Sequence, residues 1–358
     1  MANVISLPEI DRRTAAICGP KMARLAELAE MGAPVPEGFG VTTQAFEAFL
    51  KEAGLRDRLL DIETSWATDD ADSLQQASRD ASAAIEGARI PPLIAGEIKT
   101  AYEALCRLLQ IADVPVAVRS SATGEDAADA SFAGQYDSYL GISGPDNLLH
   151  AIRRCWASLF TDRAMQYRRS KNRSFLHSPM GVAVNRLVDA VSAGVGFSAD
   201  PVSGKTDRIV IEANWGYGEA VVQGITTPDH VVLDKIDLRV LDYRIGEKAI
   251  VSVFDQVRGA VIETEMPAES RALKVLDSQH LDALGRLIRK LEKRTGYPVD
   301  IEWVIERDRP DGAAIVLVQL RPVSTQVPDQ AVPYWSPTRM SSRWKTADGN
   351  VTRATATD

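Results

Sequence analysis

Between Pro115 and Tyr139 the chain reads PVAVRSSATGEDAADASFAGQYDSY, and its residue types suit a polyphosphate. Val116 to Val118 is a β-branched run with the character of a buried strand. Arg119, Ser120, Ser121, Thr123, Gly124, Glu125 and Asp126 follow, then Ser131, Gly134, Gln135 and Ser138. A guanidinium offers phosphate oxygens a rigid fork, and hydroxyls with loop backbone N–H groups supply further donors. The sequence has no Walker-type G-x-x-x-x-G-K-S/T run. Residue chemistry alone therefore leaves a solvated turn with a surface salt bridge equally open.

Three other places carry chemistry. Lys21 precedes Leu25, Leu28 and Met31, whose spacing is helical, so it opens a helix where anions are favoured; alone it reads as a surface lysine. Glu212 follows the strand-like run Ile209-Val210-Ile211, and its carboxylate can meet a nucleotide, a cation or backbone donors. Asp300-Ile301-Glu302-Trp303-Val304-Ile305 alternates as a strand, and Ile315 to Arg321 reads as its antiparallel neighbour across Arg309-Pro310-Asp311-Gly312. That pairing predicts Glu302, Gln319 and Arg321 close together. Carboxylate and amide oxygens suit Mg²⁺, which takes one or two protein oxygens beside substrate phosphates, and Arg321 suits a transferring phosphoryl group. An isolated acid–arginine pair across strands is also an ordinary structural feature.

From about Lys21 to Arg321 these stretches resemble, in order, the nucleotide-binding domain of phosphoenolpyruvate synthase, pyruvate phosphate dikinase and rifampicin phosphotransferase. The matching runs are AVRSSATGEDAADASFAGQYDSYL, Lys21 to Leu28, Val184-Asn185-Arg186-Leu187-Val188, Phe197 to Gly204, Ile209 to Glu219, D-I-E-W and L-V-Q-L-R-P. The chain has Pro20 and Met22 where the family has glycine, and Asn185 where it has glutamine. The resemblance implies an α+β fold of the ATP-grasp type, with two lobes enclosing ATP. Lys21 and Arg119 belong to the first lobe and Glu302, Gln319 and Arg321 to the second, with Glu302 and Gln319 on Mg²⁺. Lys21, Arg119 and Arg321 are the implied catalytic cations. Gly134, Ser138, Asn185 at the adenine hinge, and Glu212 complete the nucleotide contacts. The corresponding division is 1–190, with a helical insert at 44–110 and a phosphate loop at 119–138, then 191–322, then a linker or docking tail at 323–358.

The family passes the terminal phosphates of ATP to a histidine on a swivelling domain, giving AMP and phosphate, and then to a small acceptor. His150, His177, His230 and His280 are the candidates, and none lies in a glycine-rich, serine–histidine context. The expectation is a split system similar to phenylphosphate or cresol phosphate synthase, in which a separate histidine-bearing subunit phosphorylates a phenolic acceptor. A nucleotide-sensing module without transfer, or the ATP-binding part of a phosphoenolpyruvate-forming or antibiotic-phosphorylating system, is the alternative.

The positioning elements follow from pattern. Thr43 to Leu109 is mostly helical, Thr68 to Ser82 is a polar loop or exposed helix, and Asp146 to Arg169 reads as one long helix. Met180 to Leu187 and Ala193 to Phe197 read as two strands of one sheet, Val240 to Val261 as a hairpin region, and Ser278 as the cap of a helix ending near Gly296. A chain of 358 residues with 45% hydrophobic and 25% charged content is long enough for two lobes with cores. A formal charge of −8 opposes nonspecific nucleic-acid binding. Cys18, Cys106 and Cys155 form no C-x-x-C, and no apolar run reaches transmembrane length, so a cytoplasmic protein is expected.

Overall fold

The computed structural model describes residues 2–66, 70–122, 136–309 and 315–323. Helices and antiparallel sheets mix, as the α+β expectation holds, and the chain forms two compact units. Of the described residues, one unit contains those up to Ala26 with those of Glu37–Leu187, and the other contains Glu27–Pro36 with those from Val188 to Val323. The tail expected at 323–358 lies outside the described residues beyond Val323, as do the loop tip 123–135 and the turn 310–314.

The first unit holds strands β1 (Val4–Ser6), β2 (Gly38–Val41), β3 (Val116–Ala122), β4 (Ser138–Ile142) and β5 (Met180–Arg186), in the order β1-β2-β5-β3-β4. Its helices are α1 (Ala15–Cys18), α2 (Pro20–Glu30), α3 (Thr43–Glu52), α4 (Arg56–Ser65), α5 (Ala71–Gly87), α6 (Pro92–Leu109), α7 (Pro145–Ala157) and α8 (Asp162–Ser170), with α2 running past Ala26 into the second. Val116, Val118 and Ala122 of β3, with Met180, Val182 and Val184 of β5, face the helices and build the core. Trp156 is fully buried there, stacked on Phe49 at 4.8 Å between centroids. α5 takes the place of the polar loop or exposed helix, with Leu74, Ala77, Ala81 and Ile85 buried. The long helix expected from Asp146 to Arg169 is instead α7 and α8 around a 3₁₀ turn at Ser158–Phe160, with Thr161 capping α8. That turn buries both Leu159 and Phe160, which a continuous α-helix would direct to different sides.

The second unit holds β6 (Ala190–Phe197), β7 (Arg208–Trp215), β8 (Asp229–Asp234), β9 (Val240–Arg244), β10 (Ile250–Asp255), β11 (Ala260–Glu265), β12 (Val299–Glu306) and β13 (Ile315–Pro322). β10 and β11 form a hairpin, and the rest make a sheet of order β13-β12-β6-β7-β8-β9. Its helices are α9 (Glu219–Val222), α10 (Ala268–Arg271) and α11 (Ser278–Thr295). β5 and β6, expected in one sheet, belong to different sheets. α11 packs through Ile288 against Gly196 and Ile301, where an added Cβ on Gly196 would sit 2.8 Å from Ile288 Cδ1. Asp229 and Lys248, both fully buried, pair at 2.5 Å, and Asp229 also accepts from Tyr243, Gly246 and Val275.

The cap of α11 is Asp277 rather than Ser278: its carboxylate accepts from His280 N at 2.9 Å, while Gly296 closes the helix in the left-handed region. Removing that cap should cost about 1 kcal/mol. In urea titrations Asp277→Ala is expected to lose that much stability, and Ser278→Ala to stay within about 0.5 kcal/mol of the parent.

Candidate functional site

In the first unit the site grows from a sheet face made of small residues. The register sets Arg119 opposite Ala183 and Ser138, Ser121 opposite Gly181, and Asn185 opposite Ala117 and Gly38. Directly opposed residues share a face, so Arg119, Ser121, Ser138 and Asn185 lie among Gly38, Gly40, Gly181, Ala117 and Ala183. The start of α2 is pressed onto this face. A Cβ on Gly40 would meet Cys18 Sγ at 3.3 Å, and one on Gly19, at φ +80°, would overlap Ser121 at 2.2 Å. Close approach lets Lys21 N donate to Ser121 Oγ at 3.0 Å, and Lys21 Nζ donates to the Ser120 carbonyl. Pro20 fits the first helical turn after Gly19, and Met22 is fully buried.

β3 runs four residues beyond Val118, so Arg119, Ser120 and Ser121 are buried strand residues and not part of a loop. Ser138 likewise opens β4. Gly134 lies outside the described residues, so the phosphate loop expected at 119–138 is described only at its two strand-borne ends. Asn185 is buried in β5, and the run Val184 to Val188 carries the chain from one unit into the other.

In the second unit a polar row crosses the sheet. Successive registers align Gln319 of β13, Glu302 of β12, Val195 of β6, Glu212 of β7, His230 of β8 and Arg244 of β9. Ile301, Gly196, Ile211 and Val231 align on the opposite face, the one that receives α11. A bulge separates the pairs Glu302–Gln319 and Trp303–Leu317, with Val318 as the extra residue on β13. The bulge sends Leu317 to the Trp303 face while Gln319 stays beside Glu302. Arg321 Nη2 lies 3.6 Å from Glu302 Oε1, so the expected cluster of Glu302, Gln319 and Arg321 is assembled. Glu212 is mid-strand, two strands from Glu302, with His230 Nδ1 3.6 Å from its Oε1. Sequence reading weighed His230 only as a phosphate carrier; its place beside Glu212 is set by register alone.

Glu302 and Gln319 are nearly buried and offer one carboxylate and one amide oxygen. Among the described residues no group of three or more His, Cys, Asp or Glu is placed to hold a metal. This donor set fits Mg²⁺ completed by nucleotide oxygens and not an all-protein cage. Among the described residues, too, no helix is long and apolar enough to cross a membrane.

Residues 15–339 match the family described as pyruvate phosphate dikinase, AMP/ATP-binding domain. The chain belongs to that family. It is 40% identical to a probable phosphoenolpyruvate synthase of Methanothermobacter thermautotrophicus, covering 88% of this chain and 45% of that one. It is 37% identical to a probable phosphoenolpyruvate synthase of Methanocaldococcus jannaschii, covering 91% and 27%, and 34% identical to the phosphoenolpyruvate synthase of Aeropyrum pernix, covering 89% and 42%. The chain thus spans less than half the length of these relatives. A solved structure, D-alanyl-alanine synthetase A from Vibrio cholerae, matches over 90% of this chain and 62% of that one, at 10% identity and a TM-score of 0.30. So distant a match adds nothing to the family assignment.

One carboxyl near this unit's glycine-bearing turn is strongly perturbed. Glu219, behind Gly216-Tyr217-Gly218, is pushed up to about 8 by burial and then by Glu263. A folded-state value above the unfolded one means the folded protein binds more protons between pH 4.5 and 8. Stability contributed there is present at low pH and lost as pH rises through that window. Glu219→Gln should flatten this slope, leaving stability near pH 5 almost unchanged and raising it at pH 8.5 by up to a few kcal/mol. Thermal melts at both pH values check it.

Proposed function

We propose that this chain is the ATP-binding part of a dikinase-type phosphotransferase, working with Mg²⁺ in the manner of the ATP-grasp enzymes. The observation that carries the reading is the Glu302–Gln319–Arg321 cluster, with Glu302 and Arg321 at 3.6 Å. Glu302 and Gln319 would hold Mg²⁺, which would supply charge neutralisation at the phosphates. Arg321 in the second unit, and Lys21 and Arg119 in the first, are the cations suited to negative charge on phosphate, so catalysis is mostly positioning and electrostatics. Gly134 and Ser138 bind on the phosphate side, Asn185 at the adenine hinge, and Glu212 on the nucleotide.

The acceptor is a histidine outside these two units. His150 lies in α7, His177 ends a 3₁₀ turn, His230 lies in β8 and His280 in α11. A phosphate carrier must travel, and side chains fixed in packed elements do not suit that task. We place the histidine on a separate subunit, which passes its phosphoryl group to a small phenolic acceptor while AMP and phosphate leave. The buried thiols of Cys18, Cys106 and Cys155 are compatible with a reducing, cytoplasmic setting.

With β-labelled ATP and Mg²⁺, label should appear on a histidine-bearing partner protein and not on this chain. Labelling of His150, His177, His230 or His280, or turnover to an aryl phosphate by this chain alone, overturns the split arrangement. ATP binding without transfer to any partner supports a sensor instead. Arg119→Ala and Glu302→Ala should each lower transfer by roughly a hundredfold or more, with the circular dichroism spectrum unchanged. Full activity in either variant removes that residue from the mechanism.

A further inference from the structure

The polar row across the six-stranded sheet extends beyond the metal pair, and its far half has chemistry of its own. Glu212 is 6% exposed on the sheet face, and the carboxylate of such a residue needs a donor. His230, directly opposite in the register, presents Nδ1 at 3.6 Å from Glu212 Oε1, and its side chain is 32% exposed. On the other side of His230 stands Arg244, whose Nε donates to Asp242 at 2.7 Å. Arg244 is therefore engaged along its own strand, and the imidazole is the group next to Glu212 in the row. At 3.6 Å the contact is a charge–dipole one that a small rotation of either side chain converts into a hydrogen bond.

Distance along the row assigns this pair a separate task. Neighbouring strands are about 4.8 Å apart, so Glu212 lies about 10 Å from Glu302 and His230 about 14 Å away. Those spans are too long for one phosphate group to touch both carboxylates, and they match the length of a nucleoside triphosphate laid across the strands.

We propose that His230 is a positioning residue that holds the Glu212 carboxylate toward the nucleoside end of the bound nucleotide, while Glu302 and Gln319 serve the phosphate end. This rests on the nucleotide reading above. His230 donates through an imidazole N–H and leaves the second carboxylate oxygen to the ligand. Asparagine carries a donor at nearly the same distance from its backbone and can replace it; alanine and leucine cannot.

Calorimetric titration of the full chain with ATP, AMP and tripolyphosphate, each with Mg²⁺, tests the division of labour. His230→Ala and His230→Leu are expected to weaken ATP and AMP about tenfold and to leave tripolyphosphate unchanged; His230→Asn should retain affinity for all three within about threefold. Glu302→Ala should instead weaken ATP and tripolyphosphate and leave AMP within about threefold. His230→Ala combined with Glu212→Gln should be no weaker for AMP than Glu212→Gln alone, because the two act as one unit. Parent protein that binds none of the ligands contradicts the nucleotide reading itself. Parent protein that binds ATP while His230→Ala binds AMP as well as the parent, or weakens all three ligands equally, overturns the role given to His230.

Discussion

Charge that is taken out of water must be answered by a partner, and both units are arranged around that requirement. Lys21, Arg119, Glu212 and Glu302 are each less than a tenth exposed, and all but Lys21 sit on strands. Burying an ion costs several kcal/mol even after relaxation, so such positions persist only where geometry supplies compensation. Lys21 meets the Ser120 carbonyl, Glu302 meets Arg321, and Glu212 meets His230. In the first unit the compensation requires α2 to lie almost on the sheet. Gly19, Gly40 and Gly181 make that approach possible, because a Cβ would overlap Ser121 at Gly19 and the Cys18 carbonyl at Gly181 and would crowd Cys18 at Gly40. The glycines and the lysine are thus one device.

Much of this was legible in the residues, and the failures have physical causes. The Lys21 helix and the β12–β13 pair follow from periodicity, since their apolar positions alternate or recur at helical spacing, while the α+β class came with the family resemblance. β3 was cut short at Val118 because Arg119-Ser120-Ser121 has the composition of a loop; burial of all three in a strand is decided by β4, β5 and α2 around them. The break at Ser158–Phe160 lacks glycine or proline, and only tertiary packing selects the 3₁₀ turn. Asp277 and Ser278 are both good caps by type, and the backbone conformation at Asp277 chooses between them.

Register is the part that residue types carry least. Strict alternation puts Leu317, Gln319 and Arg321 on one face, yet Leu317 belongs with Trp303 on the other, and the extra residue Val318 reconciles the two. The row from Gln319 to Arg244 draws on five separate strand pairings, none of which is specified by local sequence. A one-residue slip in any of them would turn the polar face into the face that packs α11. Gly196 suits this register, because an added Cβ there would lie 2.8 Å from Ile288 Cδ1 of α11.

The two carboxylates of the row have partners of different kinds, and the proposed nucleotide reading gives that difference a use. Beside Glu302 stands Arg321, a permanent cation with five donors in a fixed fork. Beside Glu212 stands His230, a single imidazole that offers a donor in either protonation state. A triphosphate concentrates its negative charge at one end, where a permanent cation and a metal lower the energy of both bound and transferring forms. Its nucleoside end is neutral and rich in hydroxyl and amine groups, where a fixed cation would repay little of its own desolvation. A carboxylate steadied by an imidazole accepts hydrogen bonds there without adding surplus positive charge. On the proposed nucleotide reading, the sheet grades its electrostatics along one row of strands, and that gradient would orient the ligand before any chemistry begins.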